Sequence, residues 1–192
     1  MKPFMDRDFL LDTDTAKHLF HDYAEGQPLV DYHCHIPPRE IYENRRFQNL
    51  TEVWLGGQNP DGSYFGDHYK WRVMRSNGVP EAYVTGDKPA YERYLKFVEA
   101  LEMAIGNPMV HWCNLELRQF FDCDKPLTVA NAREIWDFCN EKLQNSPSLT
   151  VRGIVQKANV AIVGTTDDPV DTLEWTGKSP LIPPFQSKSA PP

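Results

Sequence analysis

Two short apolar runs that end in polar residues predict the strands of this chain. The first covers residues 29–35 and the second covers residues 159–165. Pro37 and Pro38 end the first strand, because proline has no N–H group to continue a ladder of backbone hydrogen bonds. Both strands therefore carry polar side chains at their C-terminal ends.

Between and before these runs the apolar positions recur with the 3.6-residue period of amphipathic helices. A first helix is predicted from Thr13 or Asp14 to a stop at Gly26, and a loop dense in Gly, Asn, Pro and Asp is predicted at 56–63. The other predicted helices are 40–44, 50–55 capped by Asn49, 67–75, 87–106 capped by Asp87, 109–121 and 128–143. The broad apolar face of the helix at 87–106 consists of Tyr91, Tyr94, Leu95, Val98, Leu101, Met103 and Ile105. No strand is predicted within 39–158.

A strand, a long helical excursion and a second strand predict an α/β fold with a parallel βαβ unit and a large insertion. The predicted parts are an N-terminal helix with the first strand at 1–38, an inserted helical subdomain at 39–158, and a second strand with the start of the next helix at 159–175. Residues 176–192 are predicted to be an irregular tail, rich in Pro, Ser and Lys. Since two parallel strands cannot cover their own faces and edges, we expect the chain to be incomplete.

Charge and cysteine usage narrow the classes of function. The 192 residues carry a formal net charge of -7, which argues against a nucleic-acid surface and favours a small-molecule partner. No apolar run reaches the roughly 18 residues of a membrane span, and the charged start of the chain is unlike a secretory signal. The four cysteines lack Cys-x-x-Cys spacing, so we expect free thiols and a cytoplasmic protein.

His33 and His35 are the candidate metal ligands. Side chains alternate along a strand, so these two imidazoles project to one side, while Cys34 points to the other side as a small buried hydrophobic residue. They lie at the C-terminal end of a strand, where parallel α/β folds hold their chemistry. The spacing alone leaves open a second interpretation, in which both are ordinary histidines satisfied by hydrogen bonds.

Five motifs, in unbroken order over about residues 1–175, resemble the N-terminal part of uronate (glucuronate) isomerase, a family of the amidohydrolase superfamily. They are Asp31-Tyr32-His33-Cys34-His35 with Pro37-Pro38, Gly66-Asp67-His68-Tyr69-Lys70-Trp71-Arg72, Ile105-Gly106-Asn107-Pro108, His111-Trp112 with Leu115-Glu116-Leu117, and Val163-Gly164-Thr165-Thr166-Asp167-Asp168-Pro169-Val170-Asp171. The length of these motifs makes the resemblance specific.

The resemblance implies a metal-dependent (β/α)8 barrel with helices inserted after the first strand. It implies interconversion of D-glucuronate with D-fructuronate and of D-galacturonate with D-tagaturonate. The small-molecule partner is then a hexuronate. Whether the full-length protein forms a homo-oligomer is left open. It further implies that His33 and His35 bind a divalent metal, usually taken as zinc, and that Tyr69 lies in the active site.

These roles suit the chemistry of a carbonyl that moves from C1 to C2. A proton leaves one carbon and reaches its neighbour, while a cation stabilises the developing enediolate oxygen. The Tyr69 phenol could donate or accept a proton in this transfer. His68 and Arg72 flank Tyr69, and because helix neighbours point in different directions, at most one of them is expected to share its pocket. For either residue a structural role is favoured.

Two departures from the family pattern leave alternatives open. The remaining metal ligand of the family, an aspartate on the last barrel strand, would lie beyond residue 192, and the family's Phe-Arg-Pro-Asp arginine has no counterpart in Pro184-Phe185-Gln186-Ser187. We therefore expect this chain alone to be inactive. The alternatives are a non-catalytic fragment with residual metal binding and a metal-dependent hydrolase of the same superfamily.

Overall fold

A computed structural model describes residues 5–58, 64–168, 170 and 172–178, which form two compact units. The sheet unit contains the described residues of 8–46 and 147–178, and the helical unit contains 5–7 and the described residues of 47–146. Most of the predicted tail, 179–192, lies outside the described residues. In the described part of the chain, no helix is both long and apolar enough to cross a membrane.

The sheet unit contains the two predicted strands. Its elements are α1 (Asp14–Leu19), a π-helical turn (Phe20–Ala24), β1 (Leu29–Cys34), α2 (Pro38–Glu43), a 3-10 turn (Pro147–Leu149), α9 (Val151–Lys157), β4 (Val160–Thr165) and a 3-10 turn (Thr176–Lys178). The hydroxyl of Thr13 caps α1 by accepting from the Ala16 N–H at 3.0 Å, as one of the two predicted starts requires. Helix α9 was not predicted, since its seven residues contain a glycine and give a short periodic signal.

Strands β1 and β4 are parallel neighbours, which confirms the prediction for both. Leu29 lies opposite Val160, and Cys34 lies opposite Thr165 at the C-terminal end. The strands approach closely at Gly164, where an added Cβ would lie 2.8 Å from the Tyr32 carbonyl oxygen. A glycine is therefore needed for this pairing.

The helical unit contains three long helices of 14 residues each, α6, α7 and α8, together with shorter elements. Its elements are α3 (Leu50–Leu55), β2 (Gly57–Gln58), β3 (Tyr64–Phe65), α4 (His68–Ser76), α5 (Glu81–Val84), α6 (Ala90–Met103), α7 (Pro108–Phe121), a 3-10 turn (Val129–Asn131) and α8 (Ala132–Asn145). Trp54 lies in the core with its ring centroid 6.1 Å from Tyr94 and 5.9 Å from Phe97. Other fully buried core side chains are Leu50, Leu55, Met74, Val84, Leu117, Ile135 and Leu143.

The structure corrects three predictions for the middle of the chain. Strands β2 and β3 pair antiparallel, and β2 lies inside the loop predicted at 56–63, so the prediction of no strand within 39–158 was wrong. Two residues per strand are too few to give an alternating pattern. Helix α6 begins after Pro89 and not after Asp87, because a residue that precedes proline is disfavoured in helical conformation.

The third correction concerns the apolar face of α6. Met103 and Ile105 are 74% and 94% exposed, although both were predicted to lie on the buried face. Met103 is two positions beyond the buried Leu101 and therefore lies on the other side of the helix. Ile105 lies past the end of the helix, where the 3.6-residue period no longer applies.

Candidate functional site

His33 and His35 lie side by side at the C-terminal end of β1 in the sheet unit. Their Nε2 atoms are 3.1 Å apart, their ring centroids are 4.8 Å apart, and both side chains are exposed. Cys34 is buried, as the alternation of the strand predicted, and burial raises the pKa of its thiol. The two imidazoles therefore converge, and the cysteine between them is not part of the pair.

The 3.1 Å between these nitrogens is a hydrogen-bond distance, and it is also close to the separation of two ligands of one metal ion. Two imidazoles that bind one zinc ion tetrahedrally at about 2.0–2.1 Å would have nitrogens about 3.3–3.4 Å apart. Among the described residues, no group of three or more His, Cys, Asp or Glu side chains is placed to hold a metal. His33 and His35 could thus supply two ligands, and the rest of a coordination shell would have to come from elsewhere.

The polar end of β4 is held together by local hydrogen bonds. One carboxylate oxygen of Asp167 accepts from the hydroxyls of Thr165 at 2.7 Å and Thr176 at 2.6 Å. The neighbouring Asp168 accepts from the Val170 N–H at 3.0 Å. These bonds give the Gly-Thr-Thr-Asp-Asp segment a role in ordering the chain after the strand.

Tyr69 lies in the first turn of α4 in the helical unit, within a segment in which Gly66, Asp67 and Trp71 anchor the helix. Asp67 caps α4 by accepting from the Tyr69 N–H at 2.8 Å, and the Trp71 indole donates to the Leu55 carbonyl at 2.9 Å. Gly66 has a φ of 151°, and an added Cβ would lie 2.4 Å from the same Leu55 oxygen. The start of α4 is therefore fixed by the Asp67 cap and by the contacts of Trp71 and Gly66 with the Leu55 carbonyl.

The three side chains of this segment that do not anchor the helix are exposed and contact one another. The ring centroids of His68 and Tyr69 are 4.3 Å apart, and the Arg72 guanidinium carbon lies 5.4 Å from the Tyr69 centroid. Arg72 lines the same groove as Tyr69 and His68 does not, so the prediction that at most one of these neighbours shares the pocket of Tyr69 is confirmed. The His68 and Tyr69 rings are tilted by only 33°, and Arg72 returns to the same side one turn later.

A buried ion pair below α4 was missed from the sequence. The Lys70 ammonium lies 2.9 Å from an Asp67 oxygen and 3.9 Å from Glu116, whose other oxygen accepts from the Trp54 indole at 2.7 Å. Burial alone lowers the pKa of Lys70, but the charges of Glu116 and Asp67 outweigh it and raise the pKa above its usual value. Burial raises the pKa of Glu116, against the opposing effects of Lys70 and Trp54.

The signal for this ion pair was the charged Glu116 between two leucines on an otherwise apolar helix face. A charge in such a position requires a partner, and the lysine of the Asp-His-Tyr-Lys segment is the complementary charge. Its role is to hold α7 against the start of α4.

Comparison with protein families identifies the chain. The glucuronate isomerase family matches residues 1–179. The chain belongs to this family. The resemblance predicted from the five motifs is thereby confirmed. Among curated relatives, the uronate isomerase of Lachnospira eligens is 55% identical over 175 residues, and that of Haemophilus influenzae is 51% identical over 176 residues.

Solved structures of the family share the fold. The Thermotoga maritima uronate isomerase superposes with a TM-score of 0.82 at 32% identity over 94% of this chain, which is 38% of that protein. The Caulobacter crescentus glucuronate isomerase gives a TM-score of 0.74 at 24% identity over 92% of this chain and 37% of that protein, and this match supports the fold alone. The α/β class predicted from the sequence is confirmed.

The chain spans about a third of the length of its relatives. The aligned segment is 91% of this chain but 35% of the Lachnospira eligens protein and 36% of the Haemophilus influenzae protein. Its sequence therefore matches an N-terminal part of a uronate isomerase.

Proposed function

We propose that this chain carries the N-terminal share of a uronate isomerase active site. The reaction is the interconversion of D-glucuronate with D-fructuronate and of D-galacturonate with D-tagaturonate. The observation that carries the proposal is the approach of the His33 and His35 Nε2 atoms to 3.1 Å, a distance that suits two ligands of one divalent ion, which we propose to be zinc.

Each proposed residue has a role in moving a proton between C1 and C2. When bound by His33 and His35, a divalent ion supplies positive charge that favours the enediolate over the starting carbonyl. Tyr69 is proposed to transfer the proton. Its side chain is 57% exposed, and no described residue hydrogen-bonds to its hydroxyl, so this group is free to meet a substrate.

We propose that β1 and β4 are the first two strands of a (β/α)8 barrel. Parallel sheets are normally buried on both faces. Leu29, Val30 and Tyr32 are 54%, 60% and 87% exposed in the sheet unit, and Ile162 is 42% exposed. Exposed apolar side chains on both strands support a larger sheet in the working enzyme.

We propose that turnover requires the part of a full-length uronate isomerase that this chain lacks, about two thirds of the length of its relatives. Barrel enzymes assemble their sites from the ends of several strands, and two strands supply two metal ligands here. The alternative of a non-catalytic fragment is therefore favoured for the isolated chain. A hydrolase is not favoured, since the relatives named above are uronate isomerases.

The test compares this chain with a hybrid in which its aligned segment is followed by the rest of the Lachnospira eligens protein. With added zinc or manganese, the hybrid should convert D-glucuronate to D-fructuronate, and the 192-residue chain should not. His33→Ala should abolish turnover by the hybrid. A folded hybrid without turnover, or equal turnover by the short chain, would overturn the proposal.

A further inference from the structure

A groove between α4 and α7 combines one cation with aromatic surfaces. It encloses about 530 Å³, and its lining includes Tyr69, Arg72, Asn107, Met109 and Trp112. This volume falls within the roughly 300–1,000 Å³ of small-molecule sites. A mainly apolar lining with a few polar groups is also typical of such sites.

The charge of Arg72 is available in this groove. No described carboxylate lies within ion-pair distance of its guanidinium, and no described residue accepts a hydrogen bond from it. Arg75, three residues later, differs because its Nε and Nη2 atoms donate to Glu81 at 2.9 and 2.6 Å. Among the described residues, the Arg72 guanidinium lies against the Tyr69 ring and has no hydrogen-bond or ion-pair partner, so its N–H groups are free to bind an anion.

Two aromatic side chains of the groove are exposed over about half of their surface. Tyr69 is 57% exposed and Trp112 is 51% exposed. Aromatic rings combine a large apolar area with few rotatable bonds, so they can cover the apolar C–H face of a sugar ring at low entropic cost. The groove thus offers a surface for the sugar and a cation for an acidic group.

We propose that this groove binds the hexuronate and that Arg72 pairs with its carboxylate. This inference rests on the proposed function and deepens it, because it assigns selectivity for uronates over neutral aldoses to one side chain. A guanidinium binds a carboxylate through two parallel N–H donors, a geometry that neither lysine nor a neutral side chain reproduces. D-Glucose has no carboxylate and cannot form this pair.

The experiment titrates D-glucuronate or D-glucose into the isotope-labelled 192-residue chain and follows the indole N–H signal of Trp112 by NMR. D-Glucuronate should give a saturable shift, with an affinity at least about tenfold above that of D-glucose, as expected for a charge-assisted hydrogen bond. Arg72→Gln should lower the affinity for D-glucuronate to that for D-glucose. Arg72→Lys should retain part of it, and the matched control Arg75→Gln should bind as the unchanged chain does.

Several results would overturn the inference. They are the absence of a saturable shift, equal affinity for the two sugars, and unchanged D-glucuronate binding by a folded Arg72→Gln variant. The isomerase proposal fails separately. If D-glucuronate binds through Arg72 but the hybrid is inactive, the groove proposal is supported and the isomerase proposal is refuted. If the hybrid is active but binding does not depend on Arg72, the isomerase proposal is supported and the groove proposal is refuted.

Discussion

Replacement of Lys70 by methionine tests whether the buried ion pair fixes the start of α4. The methionine keeps most of the side-chain volume but removes the ammonium that lies 2.9 Å from Asp67 and 3.9 Å from Glu116. The Lys70 side chain is 8% exposed, whereas Glu116 is 34% exposed, so water partly solvates the abandoned carboxylate. We therefore expect Lys70→Met to lower the free energy of unfolding by about 3 kcal/mol, the lower end of the usual cost of breaking a buried ion pair.

Thermal and urea unfolding followed by circular dichroism would measure this loss. A cost of about 3 kcal/mol corresponds to a fall in Tm of roughly 6–12 °C for a chain of this size. The matched control is Lys96→Met, which removes an exposed pair with Glu99 and should cost less than about 1 kcal/mol. Adding Glu116→Gln to Lys70→Met should recover part of the loss, because Glu116 then no longer carries an unpaired charge and only Asp67 still lacks its lysine partner.

The cost of Lys70→Met should also depend on pH. Burial raises the pKa of Glu116 above its usual 4.5, and loss of Lys70, which lowers this pKa, should raise it further in the variant. The unpaired carboxylate of the variant opposes folding at neutral pH, and it is protonated at a higher pH than in the unchanged chain, which relieves this. The difference in stability from the unchanged chain should therefore narrow as the pH falls from 7 towards that pKa. A loss equal to that of Lys96→Met, or a gap that is constant with pH, would refute the role assigned to the pair.

Two further substitutions test the close contacts on which the strand pairing and α4 depend, each by urea unfolding. Gly164→Ala should cost about 1–3 kcal/mol, because its Cβ would lie 2.8 Å from the Tyr32 oxygen. The control Gly26→Ala, with nothing within 4 Å, should change stability by less than about 0.5 kcal/mol; equal effects would refute the close approach. Trp71→Phe should cost about 1 kcal/mol through loss of the indole bond to Leu55, and an unchanged midpoint would contradict it.

The strands and the longer helices could be predicted because each has a strong local signal. Pro37 and Pro38 end β1, Asn49 caps α3, and a polar segment follows the apolar run of β4. The predictions that failed came from elements too short to show a pattern, or from extending the helical period beyond the end of a helix. The two-residue strands β2 and β3 carry no alternation of their own, and Ile105 belongs to a turn in which helical periodicity has stopped.

The histidine pair could be predicted because strand alternation fixes which side chains share a face. The surroundings of Tyr69 could not, since they depend on contacts between distant segments. Lys70 meets Glu116 only when α7 packs beside α4, and Trp71 bonds to Leu55, which lies 16 positions earlier in the sequence. The lack of a carboxylate partner for Arg72 among the described residues likewise follows from the three-dimensional arrangement. Arg75, on the same helix, is paired with Glu81.

Zinc titration of the chain is the most direct test of the site proposed at His33 and His35. Isothermal calorimetry should detect one weak binding event, since two imidazoles supply only half of a tetrahedral shell. His33→Ala and His35→Ala should each remove this event, while His18→Ala, which alters an exposed histidine paired with Asp22, should leave it unchanged. Undiminished zinc binding by both His33→Ala and His35→Ala would contradict the assignment of these histidines as metal ligands.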